Sequence, residues 1–140
     1  MRIDWTRVDW FAPSEFRFDP SKVAPELVYA LDEIRARADL PIYVHHAWAL
    51  DGHAEGSYHY TGQAVDFRFE PGLSTIEEFL NIVQQPEIGG IGFYPDWKPR
   101  LGWHVDLRSS RLFWTRIEGS YYYDLLTFSR VLRFPYDYLT

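Results

Sequence analysis

Ten consecutive residues, Ser57-Tyr58-His59-Tyr60-Thr61-Gly62-Gln63-Ala64-Val65-Asp66, answered later by Trp103-His104-Val105-Asp106, constrain this chain more than any other feature. A neutral imidazole, a carboxylate and a second imidazole from another strand are the donors a catalytic zinc needs, with a fourth position open for water. His59 and Asp66 are spaced for neither one helical face nor one strand face. The spacing suits a histidine on a turn bent at Gly62 and an aspartate on the strand that follows. Over Gln63 to Phe69, Ala64, Asp66 and Arg68 then share one face, and Val65, Phe67 and Phe69 the apolar other. Gly62 and Ala64 are small enough for a metal and a substrate to approach the backbone.

The rest of the chain sets bounds on that site. A length of 140 residues supports one hydrophobic core and is too short for two ordinary domains. There is no cysteine, so disulfides and thiolate ligands are excluded. A net charge of −6 without a Lys/Arg cluster argues against a nucleic-acid partner. It also gives no electrostatic help towards an anionic cell-wall polymer. No apolar stretch approaches membrane-spanning length, and Met1-Arg2-Ile3-Asp4-Trp5 is no leader peptide, so a soluble, cytoplasmic product without a membrane partner is expected. Six tryptophans and a 19% aromatic share exceed what one small core requires, so some rings should line a groove or an interface.

In chain order, residues 1–12 read as irregular, pinned by Trp5, Trp10 and Phe11, with one helical turn at Pro13–Phe16. Ala24 to Ala38 predicts a helix with Leu27, Leu31 and Ile34 inward, Asp32, Glu33, Arg35 and Arg37 in water, and a stop at Asp39. Ile42 to Trp48 predicts a strand, and Leu50 to Tyr58 a loop over the cleft. Ser74-Thr75-Ile76-Glu77 predicts a capped helix to about Gln85, with Ile76, Phe79, Leu80 and Val83 inward. Strands are expected at Gly89–Tyr94, Leu101–Arg108 and Leu112–Ile117, then helical spacing over Tyr121–Leu132 and an aromatic tail. The fold class is α+β, a small antiparallel sheet flanked by helices and holding the metal.

Ser-x-His-x-x-Gly-x-Ala-x-Asp followed by His-Val-Asp resembles the zinc D-Ala-D-Ala carboxypeptidases and related peptidoglycan endopeptidases, in the compact branch that shares the hedgehog-domain fold. Phe11-Ala12-Pro13-Ser14-Glu15-Phe16, Leu40-Pro41-Ile42-Tyr43-Val44 and Gly90-Ile91-Gly92-Phe93-Tyr94-Pro95 match in order. The resemblance covers about residues 9–111 of a single domain spanning 1–140 and leaves 112–140 as an aromatic C-terminal extension. It implies Zn2+ held by His59, Asp66 and His104, and hydrolysis of amide bonds in peptidoglycan stem peptides by metal-activated water. The substrate partner would be a peptidoglycan-derived peptide. The protein would be a phage or prophage lysis enzyme released to the wall, or a cytoplasmic enzyme recycling wall peptides.

Two family positions depart from the pattern. The acidic base usual three residues before the last histidine is Leu101 here, and the family arginine aligns with Ala49. Asp106 shares a strand face with His104 and Arg108, so it stands either as the base or as the acceptor that orients a ligand imidazole. His45 and His46 are adjacent and on a regular strand would face opposite sides. His46, in a family serine position, is the one expected in the cleft as a catalytic residue. His53 is expected in solvent. Arg108, or else Arg68, would take over from the missing arginine in substrate binding, and Ser57 would make a turn hydrogen bond or touch substrate. The alternative is a zinc-stabilised binding or structural module without turnover, which Leu101 and Ala49 favour.

Overall fold

In the computed structural model, which describes residues 2–138, six strands are present among the described residues: β1 (Ile42–His46), β2 (Ala64–Phe69), β3 (Gly90–Tyr94), β4 (Gly102–Asp106), β5 (Leu112–Ile117) and β6 (Ser120–Tyr122). They form one sheet in the order β1-β2-β4-β3-β5-β6. Three α-helices accompany it: α1 (Pro25–Ala38), α2 (Thr75–Val83) and α3 (Leu125–Arg133). The α+β class holds, but the sheet is neither small nor wholly antiparallel, because β5 runs parallel to β3. The reason is topological. β4 returns antiparallel beside β3, and the short 107–111 connection then reverses the chain around the start of β3. Leu112 N–H bonds the Gly89 carbonyl there, as Gly89 N–H bonds that of Asp106. A strand antiparallel to β4 on the far side of β3 must run parallel to β3.

The sheet separates core from cleft by its period of two. On one side Val44, Val65, Phe67, Phe69, Ile91, Phe93, Trp103 and Val105 are buried in a single cluster with Leu27, Leu31, Ile34, Phe128 and Val131 of the helices. Trp103 sits at its centre, its ring 4.6 Å from that of Phe93 and its Nε1–H donated to Glu78 Oε1 at 2.8 Å. Removing such a side chain from a packed core costs about 3–5 kcal/mol. Asp66, His104, Trp114 and Arg116 lie on the opposite face and line a cleft.

The helices depart from the expected faces where a buried polar group takes part. Leu27, Leu31 and Ile34 of α1 are buried as expected, but Asp32 is buried too. Its carboxylate accepts the backbone N–H groups of Asp9 and Trp10, so it anchors the N-terminal segment, while the Trp10 ring stays exposed. In α2 the buried positions are Thr75, Glu78 and Ile82, whereas Ile76 and Leu80 are 39% and 50% exposed. Glu78 turns the helix: its fully buried carboxylate takes Arg100 Nη2–H at 2.7 Å besides the Trp103 indole. Ser74 caps α2 by accepting Glu77 N–H. Tyr121 and Tyr122, expected to open a helix, instead pair with β5 after a tight turn in which Glu118 and Gly119 both have positive φ. No helix among the described residues is long and apolar enough to cross a membrane.

Candidate metal centre

Local backbone geometry places the first histidine. Ser57 Oγ accepts His59 N–H at 3.2 Å, starting a short helical turn over Tyr58–Thr61 that closes at Gly62 with φ +73°. A side chain at Gly62 would need that left-handed conformation and would drive its Cβ into the Lys22 carbonyl. The His59 ring is buried. Its Nδ1 lies 2.8 Å from the Ala47 carbonyl, which can only accept, so Nδ1 carries a proton and Nε2 is the nitrogen turned to Asp66.

Strand pairing brings in the other donors. Asp66 on β2 is directly opposite His104 on β4, the spacing at which cross-strand side chains meet. Asp66 Oδ1 stands 3.1 Å from His59 Nε2 and 2.9 Å from His104 Nδ1. The other nitrogen of His104, Nε2, lies 2.8 Å from Asp106 Oδ2. Asp106 is fully buried and surrounded by donors. Arg108 gives it two guanidinium bonds, Nε–H to Oδ1 at 2.8 Å and Nη2–H to Oδ2 at 2.7 Å. The backbone N–H groups of Gly90 and Arg108 complete the shell.

The electrostatics follow from this packing. Burial alone would raise the Asp66 carboxyl pKa, but hydrogen bonds and charge from His104 and His59 reverse that and hold it well below the usual carboxylate range. Asp106 is likewise held low: burial opposes its charge, while His104 and Arg108 more than restore it. Burial disfavours a charged His104, yet its bonds to Asp106 and Asp66 push its pKa up to about 9.

His53 does not stand in solvent. It is half-buried, and its ring lies flat on that of His59, centroids 4.0 Å apart and 15° from parallel. The Tyr60 hydroxyl ties the loop to the turn by accepting His53 N–H and donating to the His53 carbonyl. Ligand atoms of His53, His59 and Asp66 all lie within 4.8 Å of one another. Nothing in the spacing signalled this, because the Asp51–Ser57 loop has no period. Around Asp66, then, are three imidazoles, a nitrogen–oxygen donor set that fits a zinc ion.

The remaining expected residues fall in different places. Ser57 makes the turn hydrogen bond and also lines the cleft. Arg108 lines it as well, with its guanidinium committed to Asp106 between the rings of Tyr58 and Trp114. Arg68 is buried and bonds Glu70. His46 is exposed and lines, with His45, His53, Trp97 and Asp66, a cavity of about 270 Å³ on the other side of Asp66. The expectation that the two face opposite sides fails because β1 carries a bulge between Val44 and His46, which disturbs the alternation. Leu101 is buried in the core.

The far wall comes from residues the sequence pattern left outside the site. Trp114 of β5 brings its ring 5.2 Å from that of His104 and donates Nε1–H to the Tyr94 hydroxyl at 3.0 Å. Gly92 permits this, since a Cβ there would strike the indole. Tyr94 in turn stacks on Trp97 at 4.2 Å. The alternation Leu112, Trp114, Arg116 marks one strand face, but not which strand it would join. The whole cleft encloses about 420 Å³.

No protein-family model matches this chain, and no curated protein matches it. Fold and site define an α+β protein with a buried histidine–aspartate cluster at the floor of an aromatic cleft.

Proposed function

We propose that this chain is a zinc-dependent metallopeptidase that hydrolyses amide bonds in peptidoglycan stem peptides. One observation carries the reading. Each of two histidines uses one nitrogen on an outer acceptor, Ala47 for His59 and Asp106 for His104, and turns the other to the same Asp66 oxygen. Outer partners that fix tautomer and ring orientation are the usual support of metal-ligating histidines.

His59 Nε2, His104 Nδ1 and Asp66 would hold the ion. When bound, zinc supplies a Lewis acid for the scissile carbonyl and lowers the pKa of water. Asp106, enclosed by Arg108, Gly90 and His104, acts as the orienting acceptor rather than the base. His46 and His53, whose rings are 5.5 Å apart and which share a cavity with Asp66, are the basic groups beside the reacting centre. Tyr94, Trp97 and Trp114 restrict water around a peptide in the cleft.

The test is digestion of purified peptidoglycan by zinc-loaded protein, with mass spectrometry for newly freed amines or D-alanine. Products are expected from wild type and none from Asp66→Ala. Unchanged peptides beside an active peptidase control would favour a zinc-stabilised binding module instead. That second reading draws on the buried Leu101 in the base position and the closed shell of Asp106.

A further inference from the structure

Two arginines line the cleft, and they are used differently. Arg108 makes a two-pronged bond to Asp106. Arg116 forms no ion pair among the described residues. Its Nε is buried and donates to nothing among them. Its guanidinium lies over the Tyr94 ring, 5.2 Å from the centroid, and Tyr121, its cross-strand partner on β6, also lines the cleft. A cation kept in a part-buried, aromatic setting with an unmatched N–H is costly unless an anion completes it. A planar guanidinium is shaped to take a carboxylate by two hydrogen bonds. Glu55, the cleft-lining acid outside the donor set, is exposed on the loop across the opening.

The sheet register fixes the relation to the metal centre. Gly92 is paired with His104 on one side and with Trp114 on the other, and Arg116 is two residues further along β5. At ordinary strand spacings the Arg116 backbone is roughly 12 Å from that of His104, and the long side chain can recover about half of that. An anion on Arg116 would thus belong to a molecule that also reaches the histidine–aspartate cluster.

We propose that Arg116, between Tyr94 and Tyr121, is a carboxylate-binding specificity residue at the far end of this cleft. The inference rests on the peptidase reading of the same site and names the part of the substrate recognised. The carboxylate comes either from the C-terminus of the peptide or from an acidic side chain within it.

Three probes separate the sources: N-acetyl-D-alanyl-D-alanine, its neutral C-terminal amide, and N-acetyl-L-alanyl-D-isoglutamine, whose only carboxylate is on the side chain. Binding to zinc-loaded protein is read by quenching of Trp97 and Trp114 fluorescence. At least one acid should bind wild type tenfold or more tightly than the amide, and the preferred acid identifies the source. In Arg116→Met that advantage should fall to within twofold while zinc affinity is unchanged, and Arg116→Lys should keep part of it. An advantage that survives in Arg116→Met, equal binding of acids and amide, or no binding of any probe overturns the assignment. Hydrolysis is measured on the same samples. Carboxylate preference without cleavage leaves the subsite standing and removes the peptidase reading instead.

Discussion

Asp106 accepts the Nε2 proton of His104 at 2.8 Å, so the imidazole can meet Asp66 only through Nδ1. Two residues of β4 and one just beyond it thus form a relay of position: Arg108 holds Asp106, Asp106 holds His104, and His104 faces the opposite strand. The His59 ring is set the same way by the Ala47 carbonyl. Both rings are fixed before any ligand arrives.

If Asp106 acts by orientation, Asp106→Asn should weaken zinc binding roughly 10- to 100-fold, the usual cost of losing an outer partner. Turnover should return at saturating zinc. The measurement is a zinc titration of the variant with hydrolysis read at each point. Wild-type zinc affinity with turnover lost at every concentration would make Asp106 the base.

Chelation should lower the melting temperature, and added zinc should restore it, because a ligand that binds only the folded state stabilises it by about 2.7 kcal/mol at one hundred times its Kd. Asp66→Ala should melt at the same temperature with or without chelator, at or below the stripped wild type because it also loses the bonds to His59 and His104. Differential scanning fluorimetry decides the matter. A wild-type melting point that ignores verified zinc removal would detach the fold from the site.

Metal-free protein should be most resistant to urea in mildly acidic solution. His104 is raised from 6.5 to about 9 in the folded state, so its contribution is complete below pH 6.5 and is lost as pH rises through 9. Asp66 and Asp106 are lowered from 3.8, so theirs is present above that value and lost as pH falls below it. Urea midpoints from pH 3 to pH 10 should trace a plateau with both limbs falling. His104→Gln should flatten the alkaline limb, and an unchanged limb would mean that another group causes it.

Glu78→Ala should destabilise the fold by about 3 kcal/mol, the scale for removing one partner of a buried ion pair. It strands Arg100 and leaves the Trp103 indole N–H unpaired. Chemical unfolding measures this, and a loss under about 1 kcal/mol would show that water replaces the carboxylate without penalty.

The sequence made some of this legible and hid the rest for identifiable reasons. That His59, Asp66 and His104 meet was legible because a turn, a strand and its neighbour impose their own spacing, and the structure sets both rings against Asp66 Oδ1. The two-faced pattern of β2 and the cap at Ser74 are equally local. His53 was misplaced because its position depends on how an aperiodic loop folds back on the turn. The bulge in β1 left no trace in composition, so His45 and His46 were given opposite faces. The burial of Glu78 left no local signal because its partners, Arg100 and Trp103, are distant in sequence. Trp114 and Arg116 reach the cleft only through the parallel pairing of β5 with β3, which no strand pattern specifies.

That pairing divides the cleft into two separately adjustable halves. His53, His59, Asp66 and His104 lie on the first four strands and the loop between β1 and β2, whereas Trp114, Arg116, Tyr121 and Tyr123 arrive with the hairpin at the sheet edge. A mutational library confined to cleft-facing positions of residues 116–123, with Trp114 kept against His104, would therefore redraw the shape and charge of what the cleft admits while leaving the contacts of Asp66 with His59 and His104 in place. New selectivity could be grafted onto this scaffold at its margin, without rebuilding its centre.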